Sequence, residues 1–102
     1  MIRFVGDINF TDGFFDTGFG IGSLLKKGLN PFINFRFHDN DYYVGNFECV
    51  CSNKSNKKLI QKDYFRISPE FLNFSNKINL YATANNHIMQ HGPEAYFDTL
   101  NY

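Results

Sequence analysis

The sequence has 102 residues, enough for one domain that buries roughly 60 to 70% of the surface its unfolded chain would expose. Ten basic and ten acidic residues give a formal net charge of zero, so no overall field favours nucleic acid or a membrane surface as a partner. No apolar run approaches the roughly 20 residues of a membrane-spanning helix, and the first residues lack the apolar core of a signal peptide. The sequence as given therefore predicts no export signal and leaves the location of the protein open.

Three short apolar runs predict buried parallel strands. They extend from Ile2 to Gly6, from Asp41 to Phe47 and from Ile78 to Ala84, and polar residues follow each of them. Segments with helix signals separate the runs, which is the alternation expected of β-α units. The predicted fold class is therefore α/β, with a mostly parallel sheet, flanking helices and right-handed crossovers.

Four helix signals lie between and after these strands. Ser23 is a candidate cap for a helix that Gly28 closes, and Asn30-Pro31 is expected to open a helix over "FINFRF". Ser68-Pro69-Glu70 is expected to open a third helix over "FLNFSN". Gly92-Pro93-Glu94 predicts the start of the last helix, over "AYFDTLNY".

The cysteines and lysines have simple predicted roles. Cys49 and Cys51 are two residues apart, a spacing that in a strand points both side chains to one face without favouring a mutual disulfide, so we expect reduced thiols. The segment "CSNKSNKKLIQKDY" is expected to be a solvated loop. Alternatively, its lysines contact an anionic polymer; they are Lys54, Lys57, Lys58 and Lys62.

Polar residues follow each of the three predicted strands. They are Asp7 and Asn9 after the first, Asn46 and Glu48 after the second, and Asn85, Asn86 and His87 after the third. Because the carboxyl ends of parallel strands meet at one edge of a sheet, we expect these side chains to converge. Carboxylate, amide and imidazole groups suit manganese, iron or zinc, and a two-metal centre would activate water against a phosphate ester.

Four segments carry a resemblance to a known family. "FVGDINF", "YYVGNFE", "YFRISPEFL" and "TANNHIMQHGPEAYFDTL" resemble, in order and spacing, the N-terminal part of the CapA family of bacterial capsule and poly-γ-glutamate biosynthesis proteins. That family looks like a branch of the calcineurin-like metallophosphoesterases. The resemblance covers nearly all of the chain and implies the N-terminal half of a metallophosphoesterase-like α/β sandwich. Residues 1–102 are accordingly expected to form a single partial domain, truncated at its C-terminus and completed by the missing half or by another chain.

The resemblance also implies roles for individual residues. A divalent metal, manganese, iron or zinc, is expected on the matching ligand positions, which are Asp7, Asn46 and Asn86, together with Glu48 as an added carboxylate. His87 matches the catalytic histidine of the Asn-His pair. Substrate binding is assigned to the neighbouring polar residues Asn9, Asn85 and His91. The implied substrate is a phosphate ester or an anionic polymer.

The sequence departs from the family pattern at three positions. Asn9 stands where phosphoesterases have a histidine, and Asn46 stands where they have a bridging aspartate. Gln90 stands where the CapA pattern usually has an aspartate. Each change removes a metal ligand or a negative charge, and two closely spaced dications need such charges to offset their repulsion. Glu48 would supply a replacement if the backbone turned it inward.

Three hypotheses for the strand ends follow. The first is a metal-dependent hydrolase or transferase centre that acts on a phosphate ester or a γ-glutamyl polymer. The second is a non-catalytic binding or assembly component for an anionic polymer, or an inactive fragment. The third is structural: Asn85 and Asn86 hold the turn, Asp7 caps a loop, and His87 donates to a backbone carbonyl.

Overall fold

The protein is an α/β structure built on a short parallel sheet. A computed structural model describes residues 1–72 and 74–102. Its strands and α-helices, in chain order, are β1 (Ile2–Ile8), α1 (Ile21–Lys26), β2 (Tyr42–Phe47), β3 (Val50–Cys51), β4 (Arg66–Ile67), β5 (Leu80–Ala82) and α2 (Pro93–Asn101). Strand β2 lies between β1 and β5 and pairs with both in parallel, which confirms the predicted fold class. A second parallel pair, β3 with β4, was not predicted.

The main sheet is packed on one face and open on the other. On the packed face, Ile8, Phe47 and Tyr81 contact the hydrophobic core. The other core residues are Phe10, Leu25, Cys49, Cys51, Ile67 and Leu72. On the open face, the exposed fraction is 80% for Phe4 and 53% for Leu80. The prediction of fully buried strands is therefore wrong for one face, because the described residues cover the sheet from one side. Both cysteines are buried and free, as predicted.

A bulge in β1 decides which face carries Asp7. Phe4 pairs with Val44 and Asp7 pairs with Asn46, so β1 has one more residue than β2 between these two pairs. Gly6 lies within this bulge and has a φ of 77°, a conformation that glycine adopts at little cost. Since successive side chains in a strand alternate between faces, the added residue puts Asp7 on the open face beside Asn46.

The helix predictions were partly right. Helix α2 begins at Pro93 as predicted, and α1 ends before Gly28, whose φ is 80°. Ser23 does not cap α1, because the helix begins after Gly20 and the Ser23 hydroxyl donates to Asp12 instead. In the described ranges no helix combines the length and apolar character needed to cross a bilayer.

The second and third predicted helices are not α-helices in the structure. Residues 31–34 form turns and residues 35–38 have no regular structure. The rings of Phe35 and Phe37 pack edge to face on each other and on Tyr43, which replaces helical packing. Over "FLNFSN" there are two short 3₁₀ helices, Pro69–Phe71 and Ser75–Lys77; Asn73, which lies between them, is outside the described residues.

Candidate functional site

Polar side chains from three strand ends meet at the carboxyl edge of the main sheet. Asp7 on β1 pairs with Asn46 on β2, and Asn46 pairs with Ala82 on β5. We call the resulting cluster the polar edge and define it as Asp7, Asn46, Glu48, Asn85, Asn86, His87 and Gln90. The parallel register thus brings together the residues that the sequence placed after the three strands.

Asn85 anchors the cluster through the backbone. Its Nδ2 atom donates to the carbonyl oxygen of Phe47 at 2.6 Å, and its Oδ1 atom accepts from the backbone N–H of His87 at 3.0 Å. A carbonyl can only accept and an N–H can only donate, so the amide of Asn85 has one possible orientation. Its Nδ2 atom also lies 3.2 Å from Oδ1 of Asn46, which fixes the direction of that second amide.

Asn46 joins the two carboxylates of the polar edge. Its Nδ2 atom donates to Oδ1 of Asp7 at 3.0 Å and to Oε1 of Glu48 at 2.7 Å. Its oxygen points the other way, towards Asn85. Asn46 therefore presents hydrogen atoms, rather than a ligand oxygen, to the space between the carboxylates. This arrangement does not fit a two-metal centre, in which that position would hold a bridging carboxylate.

His87 is held in one tautomer and one orientation. Its Nδ1 atom lies 2.8 Å from Oε1 of Gln90, and because an amide oxygen accepts, Nδ1 carries the hydrogen. The ring of Phe65 stacks on the imidazole at a centroid distance of 4.0 Å and an interplanar angle of 12°. In the neutral ring the lone pair is then on Nε2. That atom lies 3.8 Å from Oε2 of Glu48 and 3.5 Å from Nδ2 of Asn86.

Glu48 and His87 are spaced as two ligands of one divalent cation would be. An imidazole lone pair and a carboxylate oxygen that face each other repel unless a proton or a cation lies between them. Two ligands about 2.1 Å from a tetrahedral zinc ion are about 3.4 Å apart, close to the separation of Glu48 and His87. Across residues 1–72 and 74–102, no three His, Cys, Asp or Glu side chains converge as metal ligands. Asn86 turns its donating Nδ2 atom towards Nε2 of His87, at 3.5 Å, so further ligands would be water or substrate.

Two predicted substrate-binding residues lie outside this network. Oδ1 of Asn9 accepts from both the backbone N–H and the hydroxyl of Thr11, at 2.9 and 2.6 Å, which uses the amide to hold a turn. Asn9 also lines an aromatic cavity of about 230 Å³ that Asp7 borders. His91 is 2% exposed and binds Ser55 and the carbonyl of Tyr64 instead of the polar edge.

Sequence reasoning missed two residues that position His87. The family pattern presents Gln90 only as a lost carboxylate, whereas its amide oxygen sets the tautomer of the imidazole. The spacing of three between His87 and Gln90 on a turn was the available signal. Phe65 comes from a distant segment and stacks on the ring with a backbone φ of 54°, for which the sequence held no signal.

Comparison with known proteins shows a family for this chain. A family model described as "Bacterial capsule synthesis protein PGA_cap" matches residues 1–102. Neither the curated proteins nor the solved structures yielded a match. The parallel sheet with its helices is consistent with the fold that the resemblance of the four segments implied.

Proposed function

Because the chain belongs to the family of bacterial capsule synthesis proteins, we propose that its polar edge is a hydrolase site that uses one divalent cation in capsule or poly-γ-glutamate biosynthesis. The observation that carries the proposal is the pair of facing acceptors, Nε2 of His87 and Oε2 of Glu48, 3.8 Å apart. Their opposition is relieved when a cation lies between them.

The side chains of the polar edge have separate tasks in this proposal. Glu48 and His87 would hold the cation, with the amide of Asn86 beside them. When bound, manganese or zinc would supply Lewis-acid polarisation of a phosphoryl or carbonyl oxygen. Gln90 keeps the hydrogen of His87 on Nδ1, so that the Nε2 lone pair faces Glu48.

Asp7 and Asn46 contribute charge and order. The exposed carboxylate of Asp7 adds a second negative charge beside Glu48, which strengthens the attraction for a cation. Asn46 holds both carboxylates in place by hydrogen bonds from a single NH₂ group. These two residues therefore organise the site without an oxygen of Asn46 acting as a ligand.

A second candidate function is binding of an anionic polymer without hydrolysis. The observation that favours it is the position of Asn46, whose amide hydrogens occupy the space where a two-cation hydrolase needs a bridging carboxylate. A single cation at Glu48 would still link the protein to the carboxylates of a polymer. Three exposed lysines between β3 and β4 would add positive charge that attracts the polymer; they are Lys54, Lys57 and Lys58.

Calorimetric titration with manganese and with zinc tests the cation site. We expect one ion per chain in the unmodified protein and no binding in Glu48→Gln or His87→Ala. Asp39→Asn is the matched control, because it removes an exposed carboxylate at the amino end of β2 and should bind normally. Equal binding by all four proteins, or no binding by the unmodified one, would contradict the proposal.

Incubation with poly-γ-glutamate and manganese separates the two candidate functions. Gel filtration that shows shortened polymer, and intact polymer with Glu48→Gln, supports the hydrolase. Polymer that co-elutes with the protein at its original length supports binding without hydrolysis. A bis-p-nitrophenyl phosphate assay under the same conditions tests the phosphate-ester alternative.

A further inference from the structure

Ser55 and His91 form a second site, apart from the polar edge. The Nε2 atom of His91 lies 2.5 Å from the carbonyl oxygen of Tyr64, and since a carbonyl accepts, Nε2 carries the hydrogen. Nδ1 then has the lone pair and accepts a hydrogen bond from Oγ of Ser55 at 2.6 Å. A hydroxyl that donates to an imidazole, which a third group orients, is the arrangement of an activated serine nucleophile.

The pair opens on one side to a cavity. Ser55 is partly exposed, whereas the exposed fraction of His91 is 2%. Both line an open cavity of about 260 Å³, together with Asn56, Gly92 and Glu94. The backbone N–H of Lys57 also donates to Oγ of Ser55, at 3.0 Å, and holds the hydroxyl in position. A ligand in the cavity would therefore meet the serine, while the base stays shielded from water.

The cavity favours a negatively charged ligand. It lies at the start of α2, a helix of nine residues, where backbone N–H groups give a partial positive charge. Within the described residues the first turn of α2 has no side-chain cap. Lys54 also lines the cavity, and its Nζ atom lies 4.0 Å from Oδ1 of Asp98. Glu94 is the opposing acidic group there.

Burial keeps the base in its accepting form. Desolvation lowers the pKa of His91, and the nearby charges of Arg66 and Lys57 act in the same direction. The hydrogen bond to Tyr64 and the charge of Asp63 oppose this change without reversing it. His91 is consequently neutral at neutral pH, with Nδ1 free to accept a proton.

We propose that Ser55 is a nucleophile and His91 its general base, in a site that hydrolyses esters whose acyl group bears a negative charge. Oγ of Ser55 attacks the carbonyl carbon of an ester, its proton passes to Nδ1 of His91, and the bond to the leaving alcohol breaks as the proton passes on to that alcohol. Water then repeats the sequence on the acylated serine: its proton goes to Nδ1 of His91, its oxygen joins the acyl carbon, the bond from that carbon to Oγ breaks, and Oγ regains the proton from Nδ1. The products are the acid and the alcohol, and no other reactant is required.

Acylation by p-nitrophenyl acetate tests the proposal. The full chain is mixed with the ester in the presence of EDTA, so that the cation site of the polar edge takes no part and failure here leaves the proposed hydrolase function intact. We expect a burst of p-nitrophenol and an acetyl adduct that peptide mapping places on Ser55. Ser55→Ala should lose both, whereas Ser68→Ala, a control at another partly exposed serine, should retain both.

The variant His91→Asn distinguishes a general base from a residue that only joins two loops by hydrogen bonds. Asparagine can still accept from the serine hydroxyl but cannot take up its proton, so acylation should slow by about 100-fold or more while urea unfolding confirms a folded chain. If that variant does not fold, the rate of the unmodified protein is followed against pH instead, and it should fall as His91 becomes protonated. An adduct confined to lysines, an unchanged rate in His91→Asn or a flat pH profile would overturn the proposal.

The charge preference has its own test. Mono-p-nitrophenyl succinate carries a CH₂–COO⁻ group in place of one hydrogen of the acetate ester, and we expect this negatively charged ester to acylate Ser55 faster. A slower reaction than with the acetate would overturn the assignment of an anionic acyl group.

Discussion

The Nε2 atom of His87 lies 3.8 Å from Oε2 of Glu48, and the opposite ring nitrogen is tied to Gln90 at 2.8 Å. The ring cannot turn Nε2 away from Glu48 without losing the bond to Gln90 and the stacking on Phe65. The structure therefore holds Nε2 of the imidazole towards the carboxylate of Glu48.

Gln90→Leu should weaken manganese binding by about 10- to 100-fold, the usual cost of losing a partner that orients a metal ligand. Leucine has nearly the same size but cannot accept from Nδ1 of His87, so the tautomer and the ring orientation are no longer fixed. Calorimetric titration gives the affinity. Gln61→Leu, on the exposed side of the 3₁₀ helix Leu59–Asp63, is the matched control. Equal affinities for the two variants would show that Gln90 does not position His87.

Asn85→Asp should lower the free energy of unfolding by about 1–3 kcal/mol. The change keeps the shape of the side chain but puts an oxygen in place of the group that donates to Phe47 and Asn46. Urea denaturation measures the loss. Asn40→Asp, at an exposed turn, should change stability by less than about 0.5 kcal/mol. A loss at Asn85 no larger than at Asn40 would contradict the anchoring role.

Gly22→Ala should destabilise the protein by about 1–3 kcal/mol, although alanine favours a helix. A Cβ atom at Gly22 would lie 2.8 Å from the backbone nitrogen of Asp12 and 3.0 Å from Cα of Thr11. These are backbone atoms, so α1 would have to move away from the loop after β1. Gly13→Ala is the control, because its nearest contact would be an ordinary 3.4 Å. Similar melting temperatures for both variants would refute the close approach of α1.

Neither cysteine should react with iodoacetamide while the protein is folded. Burial raises the pKa of Cys49 and of Cys51 to about 12, so at about pH 8 roughly one thiol in 10⁴ is ionised. Mass spectrometry should show unmodified protein in buffer and two added groups per chain in concentrated urea. Rapid alkylation without urea would show that the core around β3 opens easily.

His91 should make stability depend on pH. Because the folded pKa lies below the ordinary value of 6.5, the unfolded chain takes up the proton first as the pH falls. The full contribution of His91 to the free energy of unfolding is present above pH 6.5. It decreases below that pH until His91 is protonated in the folded protein as well. The drop in urea midpoint between about pH 8 and about pH 5 should shrink in His91→Asn. An unchanged drop in the urea midpoint would show that other titratable groups cause the pH dependence.

Much of the fold follows from local sequence patterns. Runs of apolar residues located β1, β2 and β5, and Gly92-Pro93 located the start of α2. Parallel pairing then placed the polar residues after the three strands at one edge. These features depend on neighbouring residues, since apolar runs, glycine and proline act over a few positions. The family match extends over residues 1–102.

The tertiary structure alone decided which atoms face each other. The bulge at Gly6 moves Asp7 to the open face, and Asn85 turns the NH₂ group of Asn46 towards the two carboxylates. The pairing of Ser55 with His91 likewise joins residues 36 positions apart. Each of these depends on segments that are distant in the chain and meet only when the sheet forms. The direction of a hydrogen bond is set by the partner that packing supplies, and the sequence by itself names the residues but not that partner.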